Sequence, residues 1–218
     1  MQMRQYLVLI AAFTALISCK QENKQEITVS EESALYEQVA VESGIESWDE
    51  VKTVDFTFNV DRNGETVVSR HWKWLPQSDQ VTFSGNDANI TYNRNQQLDS
   101  LALSTDRSFI NDVYWLVPQF KLVWDQGTQI TSPDEGKVIT IKYTGNDGYT
   151  PGDQYDMTID DNGMIASWKY TPKGATQPAM ETSFENYEDF NGIKIAKDHK
   201  TPDGSTNIYF TDVEITRE

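Results

Sequence analysis

From residue 51 onwards, apolar and polar residues alternate with a period of two. Val54, Phe56, Phe58 and Val60 are separated by Asp55, Thr57 and Asn59, the pattern of a strand with one dry face. Asp61-Arg62-Asn63-Gly64 then predicts a tight hairpin, because Asn-Gly tolerates the positive φ angles that such turns need. The returning strand, 65–75, places Val68, Arg70, Trp72 and Trp74 on one side, and Pro76 ends it. Shorter strands are expected at 81–83, 90–92 and 98–104. They continue at 137–144, 155–160, 164–171, 180–187, 193–199 and 207–215, with Asn-, Asp- and Gly-rich turns between many of them. In the last strand Ile208 and Phe210 are out of phase with Val213 and Ile215, which predicts a β-bulge near Thr211-Asp212. Hairpins in succession give an antiparallel sheet with enough strands to curl or close.

Two segments depart from this rhythm. Leu35, Tyr36 and Val39 repeat at helical spacing, with Ser33 as the expected cap and Gly44 as the stop. A second helix is expected over 105–118, capped by Ser104 or Thr105 and ended by Pro118. Ile110, Val113, Tyr114 and Val117 form its apolar stripe. Trp115 and Leu116 fall off that stripe, so the last turn is apolar on most of its surface and has to be buried. The concave face of a strongly curved sheet is the place for it.

The beginning of the chain belongs to another class of signal. Arg4 precedes an uncharged run of twelve residues from Tyr6 to Ile17, and Ser18 then precedes the only cysteine, Cys19. A charged start, an apolar middle and a small residue before a cut make a secretory leader, and twelve residues are too few to span a bilayer as a helix. Leu16-Ile17-Ser18-Cys19 resembles the lipobox of bacterial lipoproteins, which implies cleavage after residue 18 and a lipid-modified Cys19 at the new N-terminus. Lys20 follows, rather than the Asp that marks inner-membrane retention in some bacteria, so the outer membrane is the expected location, its face left open. The organisation expected is thus a leader at 1–18, lipidated Cys19 with a flexible tether through residue 32, and one β domain at 33–218. The tether's residues are nearly all polar, so it is expected to stay flexible, either as a plain spacer or as a sorting signal exposed to transport machinery.

The formal charge of −16 is spread along the chain with no basic patch, which argues against a nucleic-acid partner. With one cysteine, no internal disulfide can form. Six Trp, ten Tyr and nine Phe supply core-forming bulk where the overall apolar content, 38%, is low.

A lipid-anchored domain of this length resembles the LolA/LolB-like lipoprotein-carrier superfamily. The resemblance rests on Tyr155-Asp156-Met157-Thr158-Ile159-Asp160 with Asn162-Gly163-Met164-Ile165, then Phe184-Glu185-Asn186-Tyr187 and Asn191-Gly192-Ile193-Lys194-Ile195. It departs from the family pattern at Ala196, where a proline is frequent. What the resemblance implies is an incomplete β-barrel: an N-terminal helix, an inserted apolar helix over the concave face, and a cavity for acyl chains or another hydrophobic small molecule. No motif places a family ligand-contacting arginine on Arg70.

Phe56, Phe58, Trp72, Trp74, Trp115 and Trp168 are the candidates to line such a cavity. They fit equally well as packed core, or, for Trp74 and Trp124, as an exposed platform for sugars. Catalytic groupings are lacking. His71 and His199 are far apart in sequence, and no Gly-x-Ser-x-Gly elbow, phosphate loop or dinucleotide fingerprint occurs. Asp160-Asp161-Asn162-Gly163 and Gly145-Asn146-Asp147-Gly148 read as hairpin turns, since Thr158 and Tyr143 occupy what would be the first calcium-ligand position. The expectation is a non-enzymatic protein with no metal or cofactor, anchored to the membrane by lipid. Three roles stay open: a carrier of hydrophobic ligands, an accessory module of an envelope complex, and a glycan binder.

Overall fold

The computed structural model describes residues 34–85, 89–132, 137–145 and 151–218. The leader, Cys19, the tether and Ser33 lie outside the described residues, as do parts of the turns at 85–87 and 145–148.

Two antiparallel sheets make up the domain. It is mainly β, and the sheets do not close into a full barrel. The chain opens with α1 (Leu35–Glu42), whose Glu37 side chain accepts the Ala34 backbone N–H, and a 3₁₀ turn at Ile45–Glu50 follows. Gly44, at φ +92°, joins the two. A Cβ there would sit 1.7 Å from the Gly192 carbonyl oxygen, so both the left-handed backbone and the close approach require glycine.

The hairpin β1 (Val51–Arg62) and β2 (Glu65–Leu75) is the spine of the larger sheet. Its turn contains Asn63 at φ +51° and Gly64 at φ +83°, as the Asn-Gly pair predicts. β3 (Gln80–Ser84) and β4 (Asn89–Asn93) continue the sheet on one side. After two helices the smaller sheet is laid down as a meander. Its strands are β5 (Thr128–Thr131), β6 (Val138–Tyr143), β7 (Gln154–Ile159), β8 (Ile165–Thr171) and β9 (Met180–Ser183). The chain then returns to the first sheet through β10 (Glu185–Phe190), β11 (Ile193–Lys200) and β12 (Thr206–Arg217), and β12 pairs with β1.

The predicted bulge lies where expected. Asp55 and Thr57 of β1 face Glu214 and Thr211 of β12, and Asp212 takes φ +52°. One extra residue on β12 lets Ile208, Phe210 and Ile215 all face the core.

Three expectations need correction. Residues 98–104 are not a strand, because α2 already begins at Ser100 and runs to Leu116. Its cap is Asp99, which accepts the Ala102 N–H at 2.8 Å, rather than Ser104 or Thr105. Pro118 ends α2 but also starts a further helix, α3 (Pro118–Trp124), where its missing N–H costs nothing at the first position. Residues 180–187 are two strands. Phe184 lies between them, and there the chain passes from the smaller sheet to the larger, so the sheets meet along β9 and β11.

α2 lies against both sheets. Phe109 packs on Trp72 and Trp74 of the larger sheet, while Tyr114 and Trp115 pack on Trp168 of the smaller one. Its buried residues are Ala102, Asp106, Phe109, Asp112, Val113, Trp115 and Leu116. The interior surface of this helix is therefore set by Phe109 and two aspartates as well as by the predicted apolar stripe.

Candidate functional site

All six aromatic residues singled out from the sequence are buried. Phe56, Phe58, Trp72 and Trp168 expose 2% or less of their surface, Trp74 7% and Trp115 9%. Phe56 and Phe58 meet Phe210 edge-on at 5.9 and 5.8 Å. Trp72 is covered by Phe83 and Phe109, and Trp115 and Trp168 pack against each other at 4.5 Å. Side chains of α2 thus occupy the space between the sheets that a half-barrel cavity would use.

Of the six, Trp74 lines a cleft. This cleft of about 380 Å³ lies beside α2, lined by Trp48, Trp74, Phe109, Ile110, Val113 and Trp124, with Asp49, Arg94 and Lys121 as its polar members. Each wall has a local cause. Trp48 comes from the 3₁₀ turn that Gly44 permits, and Trp74 is the penultimate residue of β2, two before Pro76. Phe109, Ile110 and Val113 share one face of α2, and Trp124 is the last residue of α3. Trp48 is the hub, with ring centroids 5.4 Å from Trp74, 5.4 Å from Phe120 and 4.9 Å from Trp124. The Trp74 indole N–H is buried without a hydrogen-bond acceptor among the described residues.

The charges at the cleft are mostly held by neighbours. Arg94 donates from Nε to Asp106 at 2.8 Å and lies 3.7 Å from Asp79, while its guanidinium covers the Phe109 ring. Lys121 is 3.5 Å from Asp125, one helical turn away, and 5.9 Å from the Trp124 ring. A carboxylate thus lies close to each cation, and the cleft presents polar and aromatic surface side by side.

Deeper in, α2 is fixed by buried polar groups that apolar periodicity did not reveal. Arg70 donates twice to Asp112, at 2.7 and 2.6 Å, and Trp72 Nε1 donates to the same carboxylate at 2.8 Å. Burial raises the Asp112 pKa from its usual value, opposed by the hydrogen bonds and positive charge of Arg70. The only hint in the sequence was Arg70 on the dry face of β2, since a buried arginine calls for a buried acid.

On the opposite side, Tyr143 donates to Asp125 at 2.6 Å and its hydroxyl lies 3.1 Å from that of Tyr114. A phenol has one proton, so with Tyr143 committed to the carboxylate, Tyr114 donates to Tyr143. Burial raises the pKa of both phenols, further helped by the charge of Asp125. His199 is fully buried against Trp115, Phe184 and Phe210. Desolvation lowers its pKa to about 3, against smaller opposing pulls from the Ser183 backbone, Asp198 and Glu185. It is a neutral core imidazole. His71 sits between Thr57 Oγ1 and Asp55, 3.1 Å from each, on the outer face and partly exposed. Among the described residues no group of three or more His, Cys, Asp or Glu side chains is arranged to hold a metal. Asp160 accepts the N–H groups of Asn162 and Met164 within its turn. No helix among the described residues is long and apolar enough to cross a membrane.

No family model matches the chain, and no curated protein matches it in sequence. Among solved structures it is similar to a DUF1329 family protein from Desulfovibrio piger, at 11% identity and a TM-score of 0.43, over 83% of this chain and 91% of that one. It is also similar to a LolA superfamily protein from Nitrosomonas europaea, at 7% identity and a TM-score of 0.45, over 85% of this chain and 96% of that one. Likenesses this distant carry no conclusion about activity, which has to rest on the geometry of the cleft.

Proposed function

We propose that this protein is a lipid-anchored component of a bacterial envelope, tethered to the outer membrane through Cys19, and that its β domain binds a hydrophobic or amphipathic molecule without performing chemistry on it. The observation that carries the ligand reading is the cleft of Trp48, Trp74, Phe109 and Trp124. At about 380 Å³ it lies at the lower end of the range for ligand pockets, and its lining is divided almost evenly between apolar and polar surface, which suits a molecule with both characters. Such a space suits an acyl segment or a small apolar ring better than a whole phospholipid. The tether of polar residues after Cys19 lets the domain stand off the bilayer, in keeping with its acidic composition.

Native mass spectrometry of residues 20–218, made without the lipid and purified gently from the periplasm, tests this reading. The expected result is a reproducible added mass that denaturation releases as a lipid or other apolar molecule. A bare protein mass overturns it in favour of an accessory module acting through protein partners. Anchorage is tested separately: Cys19→Ala should move the protein from the membrane fraction to the soluble periplasm.

One observation favours a second occupant of the same cleft. The unpartnered Trp74 N–H, beside half-buried Trp48 and Trp124 and polar Asp49, Arg94 and Lys121, offers a sugar both an aromatic face and hydrogen-bonding groups. Under that reading, tryptophan fluorescence responds to a polysaccharide and stays silent to lipids.

A further inference from the structure

Where the two sheets meet, β8 and β9 on one side and β11 on the other, polar groups are buried without partners. Trp168 Nε1 and Thr182 Oγ1 make no hydrogen bond among the described residues, His199 has at most the Ser183 backbone as a partner for one of its two ring nitrogens, and Thr182 and His199 have no exposed surface. They form one neighbourhood. Trp168 and Thr182 are paired across β8 and β9, and the rings of Trp168 and His199 both pack on Trp115 and on Phe184. Folded proteins satisfy nearly all buried polar groups, so several orphans at one seam are unusual. Immediately outside lies a depression of about 420 Å³, of which buried Thr182 is a lining residue, together with Ser167, Ser183, Lys200 and Thr201. None of these residues lines the tryptophan cleft.

The chemistry of the seam restricts what it takes. Every charge at its mouth is already matched: Lys200 donates to Glu185 at 2.8 Å, and Glu181 lies 3.7 Å from Lys169. The inner groups are an indole N–H donor, a hydroxyl and a neutral imidazole whose N–H faces the Ser183 backbone and whose other nitrogen is an acceptor. They have no charge to offer an anion or a cation, and their mixture of donors and acceptors complements hydroxyl groups. We infer that the seam at Trp168, Thr182 and His199 is a second binding site, for an uncharged hydroxylated group such as a glycerol or sugar moiety. The site is separate from the tryptophan cleft and stands whether or not that cleft holds an apolar ligand.

The test uses the full-length protein in a zwitterionic detergent free of sugar and glycerol, labelled with ¹⁵N. Trp168 is assigned by the loss of its indole peak in Trp168→Phe, and His199 by the loss of its ring signals in His199→Phe. Glycerol and methyl glucoside are the two hydroxylated probes, with inorganic phosphate as the charged control. Saturable shifts of the Trp168 and His199 signals with glycerol, methyl glucoside or both are expected, and which one binds more tightly identifies the source of the hydroxyls. Thr182→Val, isosteric and apolar at a fully buried position, should keep the fold and weaken binding about tenfold. Trp74→Phe, on the other cleft, should leave it unchanged. Shifts with phosphate alone, shifts that do not saturate, or a Thr182→Val response equal to wild type would each overturn the assignment, leaving the orphaned groups to solvent.

Discussion

Arg70 of β2 holds Asp112 of α2 through two parallel hydrogen bonds, 2.7 and 2.6 Å long, with the carboxylate completely buried and Trp72 donating to it as well. This pair ties the long helix to the larger sheet at a fixed height. Removing one partner strands the other in a poorly solvated place, which is where the cost lies. Asp112→Ala should therefore destabilise the domain by about 3–5 kcal/mol in urea unfolding. An Arg70→Met, Asp112→Leu double variant should recover most of that loss. A double variant as unstable as the single one would show that the pair is favourable in itself.

His199 makes stability depend on acid. Its pKa is near 3 in the folded protein and about 6.5 in the unfolded chain. Because burial lowers it, the unfolded state binds a proton that the folded state refuses between those values. Stability is unaffected by this group above about pH 6.5 and falls below it, by about 1.4 kcal/mol per pH unit once titration of the unfolded chain is complete. His199→Phe should flatten the acid limb of the stability profile by that slope, whatever its effect at neutral pH. Urea midpoints measured from pH 7 to pH 4 for both proteins check this.

The phenol chain Tyr114–Tyr143–Asp125 predicts an alkaline signature. Burial holds Tyr114, Tyr143 and Tyr155 well above the ordinary phenol range, and Tyr170, hydrogen-bonded to Asp153, is pushed up to about 12. Absorbance at the phenolate band up to pH 11 should report fewer ionised tyrosines than the ten of the sequence less Tyr6 of the leader, the remainder appearing only on unfolding. Tyr143→Phe should cost about 1.5–3 kcal/mol, since it takes a hydrogen bond from a half-buried carboxylate.

The bulge at Asp212 makes a local prediction. Its φ of +52° suits Gly, Asn or Asp and strains a β-branched residue. Asp212→Gly should be nearly neutral in backbone terms, losing only the bonds from Thr57 and Thr211. Asp212→Val should destabilise by about 1–3 kcal/mol, read as a drop in melting temperature. Equal stability of the two variants would mean that the bulge shifts along the strand.

In the cleft, Trp48 joins Trp74, Trp124 and Phe120, so Trp48→Ala should loosen the whole wall. Any added mass seen by native spectrometry should be lost or much reduced in that variant, whereas Phe58→Leu, which packs on Phe210 away from the cleft, should retain it. Retention in both would place the ligand elsewhere.

The sequence by itself determined most of the strands and turns, though not the short β5 (Thr128–Thr131), because a period of two and an Asn-Gly pair are local physics. Val54, Phe56 and Phe58 point inwards for the same reason that they alternate with Asp55 and Thr57, and the phase slip before Val213 announced the bulge without any partner strand in view. The start of α2 was local as well and the strand expected over 98–104 passed over it, since Leu98, Leu101 and Ala102 stand at helical spacing and Asp99 caps them; tertiary structure decided that this helix packs against both sheets. It also decided that 180–187 is divided between two sheets at Phe184, because alternation within a segment says nothing about which neighbour it pairs with. The same holds for the aromatic residues. Trp72 and Trp168 became core and Trp74 a cleft wall through what packs on them, and Asp112 could enter the interior only because Arg70 was there to meet it.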